Sequence, residues 1–361
     1  MKIGVLGGGQ LARMLSLAGY PLGIELICID PSPDCSAQQV TTVIQADFYE
    51  IEIIKQHFHD VHCVTYETES LPIDAIQALS IDYKFMPTIE ALRIAQDRLY
   101  EKDFLRELAI PTTTYQAIDS WDDLRTASNN CDYPLILKTR CNGYDGKGQF
   151  VISTYEEAVQ LRKLADGGGL IIEKWIAYQF ELSLVFARSH TGDIVFYPLT
   201  LNKHQQGILR LSEAPYVNDK LQTVAEQYAV LIAEKLHYVG VMAIEFFYVD
   251  GHLMVNEIAP RVHNSGHWTI EGAVTSQFEN HLRAITGLPL GATAAQGLST
   301  MINCISNEPS NLTKLLSMPD IHMHTYGKKP RANRKLGHIT ICAQDQQEMH
   351  NKVLFAESYM L

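Results

Sequence analysis

The stretch from Val255 to Trp268, VNEIAPRVHNSGHW, gathers one carboxylate (Glu257), two amides (Asn256, Asn264), one guanidinium (Arg261) and two imidazoles (His263, His267) within fourteen residues. It leaves a strand-like run, HLMVNEI, and Pro260 then forces the backbone into a loop. A solvated loop is usually rich in Lys, Glu and Ser, and a core strand does not carry this many hydrogen-bonding groups. The density suits a site that holds a metal and an anion together; a buried polar network closing a domain is the plainer alternative. Just upstream, VMAIEFFYV and HLMVNEI flank Asp250-Gly251, the pattern of a β-hairpin. A two-residue turn sets Glu245 opposite Asn256. A three-residue loop, Asp250 to His252, sets it opposite Glu257, and the sequence leaves the register open. Either way two carboxylates fall close together on apolar strands and repel. A divalent cation relieves the repulsion, and hard oxygen ligands beside nucleotide phosphates select Mg²⁺; protonation of one carboxylate relieves it without metal.

Three further segments suit phosphate chemistry. Gly7-Gly8-Gly9-Gln10-Leu11-Ala12 fits the dinucleotide fingerprint, with Asp30 ending the next strand. The physics is broader: glycines admit a ligand to the backbone, and the helix N-terminus offers N–H groups to any phosphate or carboxylate. Glu67, leaving VTYE, belongs at the same carboxyl edge of the sheet, where ligands bind in such folds. Lys138 ends the apolar strand LILK, and GYDGKGQ (143–149) follows, with three glycines in six residues and Lys147 for charge. No G-K-[S/T] opens a helix, so this is no Walker A loop, and a plain hairpin turn is equally compatible. Burial of Lys138 is costly unless a phosphate compensates. Glu173 and Glu181 bracket Trp175, Ile176 and Phe180, either as a purine slot with ribose-binding carboxylates or as solvent-facing strand edges. Lys328, Lys329, Arg331, Arg334 and Lys335 fall within eight residues of a chain with only 29 Lys plus Arg. Such a run is usually a solvated face; beside carboxylates, bidentate recognition of a substrate phosphate accounts for it better than nucleic acid.

The elements that must carry these residues are readable from periodicity. Strands at Ile3–Leu6, Glu25–Ile29 and Val61–Tyr66 with a helix at Gln10–Gly19 form a βαβ pattern and a parallel sheet. Pro87-Thr88 opens a helical segment through Leu108. Strands then dominate to about Gly287 (135–138, 170–176, 181–187, 193–199, 241–249), with helices near Tyr155–Leu164 and Asp219–Leu236. After Leu288-Pro289-Leu290 a tail of short strands (Thr300–Ile305, His322–Tyr326, Gly337–Cys342) surrounds the basic loop. The expected architecture is mixed α/β in three domains: 1–97 Rossmann-like, 98–288 central, and 289–361 small and β-rich. A length of 361 residues is too much for one core, and 46% hydrophobic with 19% charged residues describes a soluble globular chain. A net charge of −12 argues against general nucleic-acid binding. Seven scattered cysteines without C-x-x-C suit reduced thiols in a cytoplasm, and KIGVLGGG is neither signal peptide nor membrane span.

Glycine loop, strand lysine, paired glutamates with Asn256 and a preceding nucleotide-like domain together resemble the ATP-grasp superfamily. Within it, GGGQLARM, AQDR (95–98), KTR-x-x-GYDGKGQ (138–149), YPLT-x-N-x-H-x-x-GIL (197–209), NE-x-APR-x-HNSGHW (256–268) and K-x-x-R-x-x-RK-x-GH (328–338) are similar to the 5-(carboxyamino)imidazole ribonucleotide synthetases over essentially the whole chain. The resemblance implies carboxylation of the amine of aminoimidazole ribonucleotide by ATP and bicarbonate, through carboxyphosphate, in a cytoplasmic homodimer of purine biosynthesis. It assigns ATP to Arg98, Lys138, Gly143, Tyr144, Asp145, Gly146, Lys147, Gly148, Gln149, Glu173, Lys174, Trp175, Ile176, Glu181, His204, Asn256 and Glu257, and Mg²⁺ to Glu245 and Glu257. Arg261, His263 and Asn264 would orient bicarbonate and stabilise the acyl phosphate, with Asp145 as a proton acceptor. Gln10, Leu11 and Glu67 with Lys328, Arg331, Arg334 and Lys335 would bind the ribonucleotide; His267 and Trp268 lean toward structural roles. Asn142 stands where the family usually has a second glycine, a change expected to act on loop closure, not chemistry. The competing readings are an NAD-dependent dehydrogenase, a non-catalytic phosphoribosyl-binding module and a formate-using glycinamide ribonucleotide ligase.

Overall fold

The computed structural model describes residues 1–143 and 146–360. Near the N-terminus, Thr42–Gln45, Glu25–Asp30, Lys2–Leu6 and Cys63–Tyr66 lie in that order in a parallel four-stranded sheet. The helix Gln10–Gly19 buries Leu11, Ala12, Met14 and Leu15. Thr42–Gln45 is a strand that periodicity does not reveal, since four residues, exposed at both ends and half-buried between, carry too short a pattern.

A second sheet, antiparallel, orders Tyr115–Ile118, Leu170–Lys174, Leu135–Thr139 and Gln149–Ile152. Lys138 pairs with Gln149, so the glycine-rich segment connects two adjacent antiparallel strands. A third sheet runs His252–Ala259, Gly240–Val249, Phe180–Arg188, Thr200–Gln205, Ile208–Ala214, Leu298–Ile305, Lys335–Ala343 and Ile321–Thr325, with Ile194–Phe196 on the side of Phe180–Arg188. The tail beyond 288 therefore extends the central sheet, Leu211 facing Ile302 across the junction, while keeping an apolar cluster of its own around Leu315, Ile339 and Ile341. The N-terminal sheet also shares its core: Val5, Leu15 and Leu26 join one cluster with Val185, Phe278, Leu282 and Trp268. The segments that carry the site are thus packed as neighbours, not strung on linkers.

Two expected helices are broken. The segment from Pro87 to Leu108 is Ile89–Gln96 and Arg98–Glu107, interrupted by extended backbone at Asp97. Asp97 caps the second helix by accepting from Leu99 N–H at 2.9 Å and also binds Arg140 through Oδ2 at 2.6 Å. A cap that serves two partners outweighs helix continuity. Likewise Tyr155–Leu164 is split into Tyr155–Gln160 and Arg162–Ala165. The strand expected over 170–176 stops at Lys174, leaving Trp175 and Ile176 in a loop, and that expected over 193–199 is only Ile194–Phe196. Among the described residues no helix is long and apolar enough to cross a membrane, and the seven cysteines are free thiols.

Candidate active site

The hairpin that carries both glutamates has a two-residue turn, yet Glu245 faces Glu257. Val249 pairs with His252 and Phe246 with Val255, and the register then slips by one residue, leaving Asn256 as the extra residue of a β-bulge. Asp250 and Gly251 both have positive φ (48° and 88°), the primed turn that suits a twisted hairpin. The bulge is held from outside. Lys102, 1% exposed, donates to Asn256 O at 2.5 Å and to Thr112 Oγ1 at 2.9 Å, and Thr112 Oγ1 donates to Val255 O at 2.8 Å. From the same face of the helix Arg98–Glu107, Glu101 accepts from Ile258 N–H at 2.6 Å, and Arg98 reaches Glu257 at 3.4 Å. Positions i, i+3 and i+4 of one helix thus brace the bulge.

Burial and the facing Glu257 push the Glu245 carboxyl up to about 7, and burial does the same to Glu101. A pair of opposed carboxylates fits Mg²⁺, which takes one or two carboxylates and completes its shell with water and substrate phosphates. Among the described residues no cluster of three or more His, Cys, Asp or Glu could hold a metal without such help.

A single cleft of about 1630 Å³ brings these groups together with nearly all the others expected from sequence. Its walls include Gln10, Leu11, Glu67, Arg98, Lys138, Gly143, Gly146, Lys147, Gln149, Glu173, Lys174, Trp175, Ile176, Glu181, His204, Glu245, Asn256, Glu257, Arg261, His263, Asn264, Lys328, Arg331, Arg334 and Lys335. Gly148 is not on the wall: at φ +71° a Cβ there would meet Thr139 Oγ1 at 2.5 Å, so it serves the turn itself. Tyr144 and Asp145 lie outside the described residues.

The geometry corrects two expectations. Lys138 is offset by Glu173, 2.6 Å away, with side chains 6% and 3% exposed, so no phosphate is needed to explain its burial. The glycine turn at the first helix has its amides occupied: Glu67 accepts from Gly9 N–H and, at 2.8 Å, from Ala12 N–H, while Asp30 Oδ2 accepts from Gly8 N–H at 2.7 Å. Two carboxylates sit where a pyrophosphate would bind in a dinucleotide fold, which removes the physical basis of the dehydrogenase reading. Lys328 donates to Gln10 Oε1, so the basic tail and the N-terminal domain meet on one wall of the cleft. Lys329 instead turns outward to Asp34 at 3.0 Å.

Several residues that organise the site carried no motif signal. Glu69 pairs with Arg261 Nε at 2.8 Å. Fully buried Gln277 accepts from His263 N–H at 2.9 Å and donates to His263 O at 2.7 Å. Asn303 exchanges two hydrogen bonds with the amide of Asn264, at 3.1 and 2.8 Å, turning that amide toward the protein. A lone Asn inside the apolar run STMINCI was the one available hint. His204 sits at a bulge of Thr200–Gln205, with Nδ1 2.5 Å from Glu181 Oε2. Burial opposes charge on His204, but Glu181, Glu245 and Glu257 outweigh it and raise its pKa. His267 is 1% exposed and bonded to Gln277, and Trp268 donates to Thr200 Oγ1 at 3.0 Å from full burial.

Residues 103–278 match the ATP-grasp domain, 1–96 the ribonucleotide synthetase preATP-grasp domain, and 299–352 the phosphoribosylaminoimidazole carboxylase C-terminal domain. The N5-carboxyaminoimidazole ribonucleotide synthase of Pseudomonas aeruginosa is 45% identical over 360 residues, 99% of each chain. The crystal structure of N5-carboxyaminoimidazole ribonucleotide synthetase from Thermus thermophilus superposes with a TM-score of 0.94 at 44% identity, covering 99% of this chain and 98% of that one. The N5-carboxyaminoimidazole synthase of Aspergillus clavatus, solved with ADP and 5-aminoimidazole ribonucleotide, gives 0.90 at 29% identity over 99% and 98% of the two chains. The chain belongs to the N5-carboxyaminoimidazole ribonucleotide synthase family of ATP-grasp enzymes.

Proposed function

We propose that this chain is an ATP-dependent carbon–nitrogen ligase that carboxylates the amine of 5-aminoimidazole ribonucleotide, with bicarbonate as the carbon source. One observation supports this reading above the others: an opposed carboxylate pair and a basic, amide-bearing wall face the same cleft. One wall suits a nucleoside triphosphate, the other a phosphorylated ribonucleotide, and the segment after Pro260 lies between them.

In this reading ATP lies along Arg98, Lys138, Lys147, the loop 143–149 and the segment Glu173 to Ile176, with Glu181, His204 and Asn256 at its edge. Mg²⁺, held by Glu245 and Glu257 with phosphate oxygens, would neutralise charge on the transferring phosphoryl group. An oxygen of bicarbonate takes the γ-phosphoryl group, releasing ADP and giving carboxyphosphate. Arg261 and His263 orient this anion and stabilise it with fixed donors; Asn264, locked to Asn303, shapes that wall. The substrate amine then attacks the carboxyl carbon, phosphate leaves, and the amine's proton passes to a base, for which Asp145 is the candidate. Lys328, Arg331, Arg334 and Lys335 hold the ribonucleotide phosphate, Gln10 and Leu11 border it, and Glu67 faces its ribose. Closure of the glycine loop keeps water from the acyl phosphate. The same reading includes a cytoplasmic homodimer, which sedimentation equilibrium tests.

The deciding experiment is ADP release by purified protein with aminoimidazole ribonucleotide, with and without bicarbonate. Release should require bicarbonate and be fastest with the ribonucleotide present, and Glu257→Gln should abolish it. Equal release with and without bicarbonate, or full activity of the variant, would refute the assignment.

A further inference from the structure

Two residues of the sequence motifs have no part in the chemistry above: Asn202 in YPLT-x-N-x-H and Ser265 in HNSGHW. They are joined by Ser183, on the neighbouring strand, into one buried chain. Ser212 Oγ donates to Asn202 Oδ1 at 2.7 Å, Asn202 Nδ2 donates to Ser183 Oγ at 2.9 Å, and Ser183 Oγ donates to Ser265 Oγ at 2.8 Å. Ser265 Oγ lies 2.9 Å from His263 Nδ1. Ser183, Ser212 and Ser265 are 0% exposed and Asn202 4%, so water does not offer alternative partners.

A hydroxyl has one proton, so a chain of hydroxyls has a direction. Here the direction is pinned at both ends. At one end the amide of Asn202 supplies a donor to Ser183. At the other, the backbone N–H of Ser265 points at His263 Nδ1, 3.3 Å away, and a backbone N–H cannot become an acceptor. His263 Nδ1 is thereby an acceptor from two groups of the same residue, and the ring proton belongs on Nε2. That nitrogen faces the cleft, 3.5 Å from Glu245 Oε1. Gln277 clamps the backbone N–H and C=O of His263, so the ring cannot turn over by moving its main chain.

We infer that Asn202, Ser183 and Ser265 are positioning residues that fix His263 in the Nε2–H tautomer, so that it meets the reacting anion as a neutral hydrogen-bond donor and is not the base of the reaction. The mirror tautomer would set Nδ1–H against the Ser265 N–H and take from the Ser265 hydroxyl the acceptor of its proton. Losing even one ordinary hydrogen bond biases the two forms by about tenfold. The role given to the Nε2–H rests on the carboxylation reading, whereas the tautomer itself does not.

The test reads the tautomer directly. Enzyme labelled with ¹⁵N-histidine is examined by long-range ¹H–¹⁵N correlation, with His263 assigned by the peaks missing in His263→Gln. The expected result is a protonated Nε2 and an unprotonated Nδ1 in the free enzyme; a protonated Nδ1 overturns the inference. Ser183→Ala, which removes the middle of the chain without touching His263 or the cleft wall, should bring in the second tautomer. It should also lower kcat about tenfold while KM for ATP stays within about twofold. A fall in kcat with the tautomer unchanged would make Ser183 merely structural and overturn the relay. A changed tautomer with unchanged kcat would overturn the donor role of His263 at the anion and leave the relay standing.

Discussion

Lys138 and Glu173 form a buried ion pair on the wall of the cleft proposed for ATP, so stability and ligand binding make different demands on them. The side chains are 6% and 3% exposed and 2.6 Å apart. Removing one partner of such a pair leaves an uncompensated buried charge and costs about 3–5 kcal/mol. In Lys138→Met the stranded carboxylate of Glu173 still feels Lys102 and Arg98, both of which lower its pKa in the intact protein. The cost therefore belongs at the lower end, about 3 kcal/mol. The double variant Lys138→Met/Glu173→Leu removes the charge problem altogether and also Glu173 Oε1, which is buried without a hydrogen-bond partner. Replacing a buried pair by apolar groups is often neutral, so the double variant should regain most of the loss. Urea denaturation measures this: with a slope of about 3 kcal/mol/M, the single variant should unfold about 1 M earlier and the double near wild type. Both should lose ATP affinity, measured by calorimetric titration. If the double variant is no more stable than the single one, the pair is not what determines the stability of this sheet. If the double variant binds ATP like wild type, Lys138 is a structural cation only.

The opposed glutamates make a prediction about pH. Burial and Glu257 raise the Glu245 pKa from 4.5 to about 7, so across that window the folded protein holds a proton that the unfolded chain has released. Stability of the metal-free protein should then fall as pH rises from 4.5 to about 7, with Glu101 contributing in the same window. Glu245→Gln should flatten that slope in denaturation curves taken across the window, and an equal slope in both proteins would refute the coupling. Arg331→Ala, on the basic wall, should raise KM for the ribonucleotide about 10- to 100-fold with kcat nearly unchanged, the loss expected for one charge-assisted phosphate contact; an unchanged KM would remove Arg331 from phosphate binding. Asn142 has φ 60°, where Asn is tolerated and glycine costs nothing. Asn142→Gly should therefore fold normally and shift KM for ATP a few-fold through loop closure; identical kinetics would show that the departure from two glycines is silent.

Much of the scaffold was legible because apolar alternation and helical period depend on neighbours a few residues apart. The strands Lys2–Leu6, Leu135–Thr139 and Gly240–Val249 and the helix Asp219–Lys235 are such cases. What escaped was set by distant partners. The hairpin register depended on whether Asn256 would bulge, and that is decided by Lys102 and Thr112, more than 140 residues away in the chain. The break at Asp97 has the same origin, because Asp97 caps a helix and also binds Arg140. The cleft residues were readable as types, yet their supports were not: Gln277, Asn303 and Glu69 are ordinary residues until the fold sets them against His263, Asn264 and Arg261.

The glycine turn shows how the same local sequence can be read correctly for structure and wrongly for ligand. Gly7, Gly8 and Gly9 do produce the strand-to-helix turn that the fingerprint implies, and Gly7 needs its φ of +104°. Glycine spacing fixes a backbone shape; it does not say which acceptor fills the amides. Here Gly9 and Ala12 donate to Glu67 and Gly8 donates to Asp30, so the amides that the glycines expose are taken by the protein's own anions. Two N–H bonds favour an ionised Glu67, although burial weighs more and raises its pKa overall. A phosphate set against these glycines would meet negative charge, their own amide donors being already taken. The positive counterpart has to come from elsewhere, and it comes from the tail, where Lys328 reaches Gln10 at the same helix start. In the proposed reading, an acidic turn completed by a basic loop some 300 residues later suits a ligand with hydroxyls on one side and phosphate on the other. That is the chemistry of a ribose phosphate, and it follows from who occupies the amides more than from the glycines that expose them.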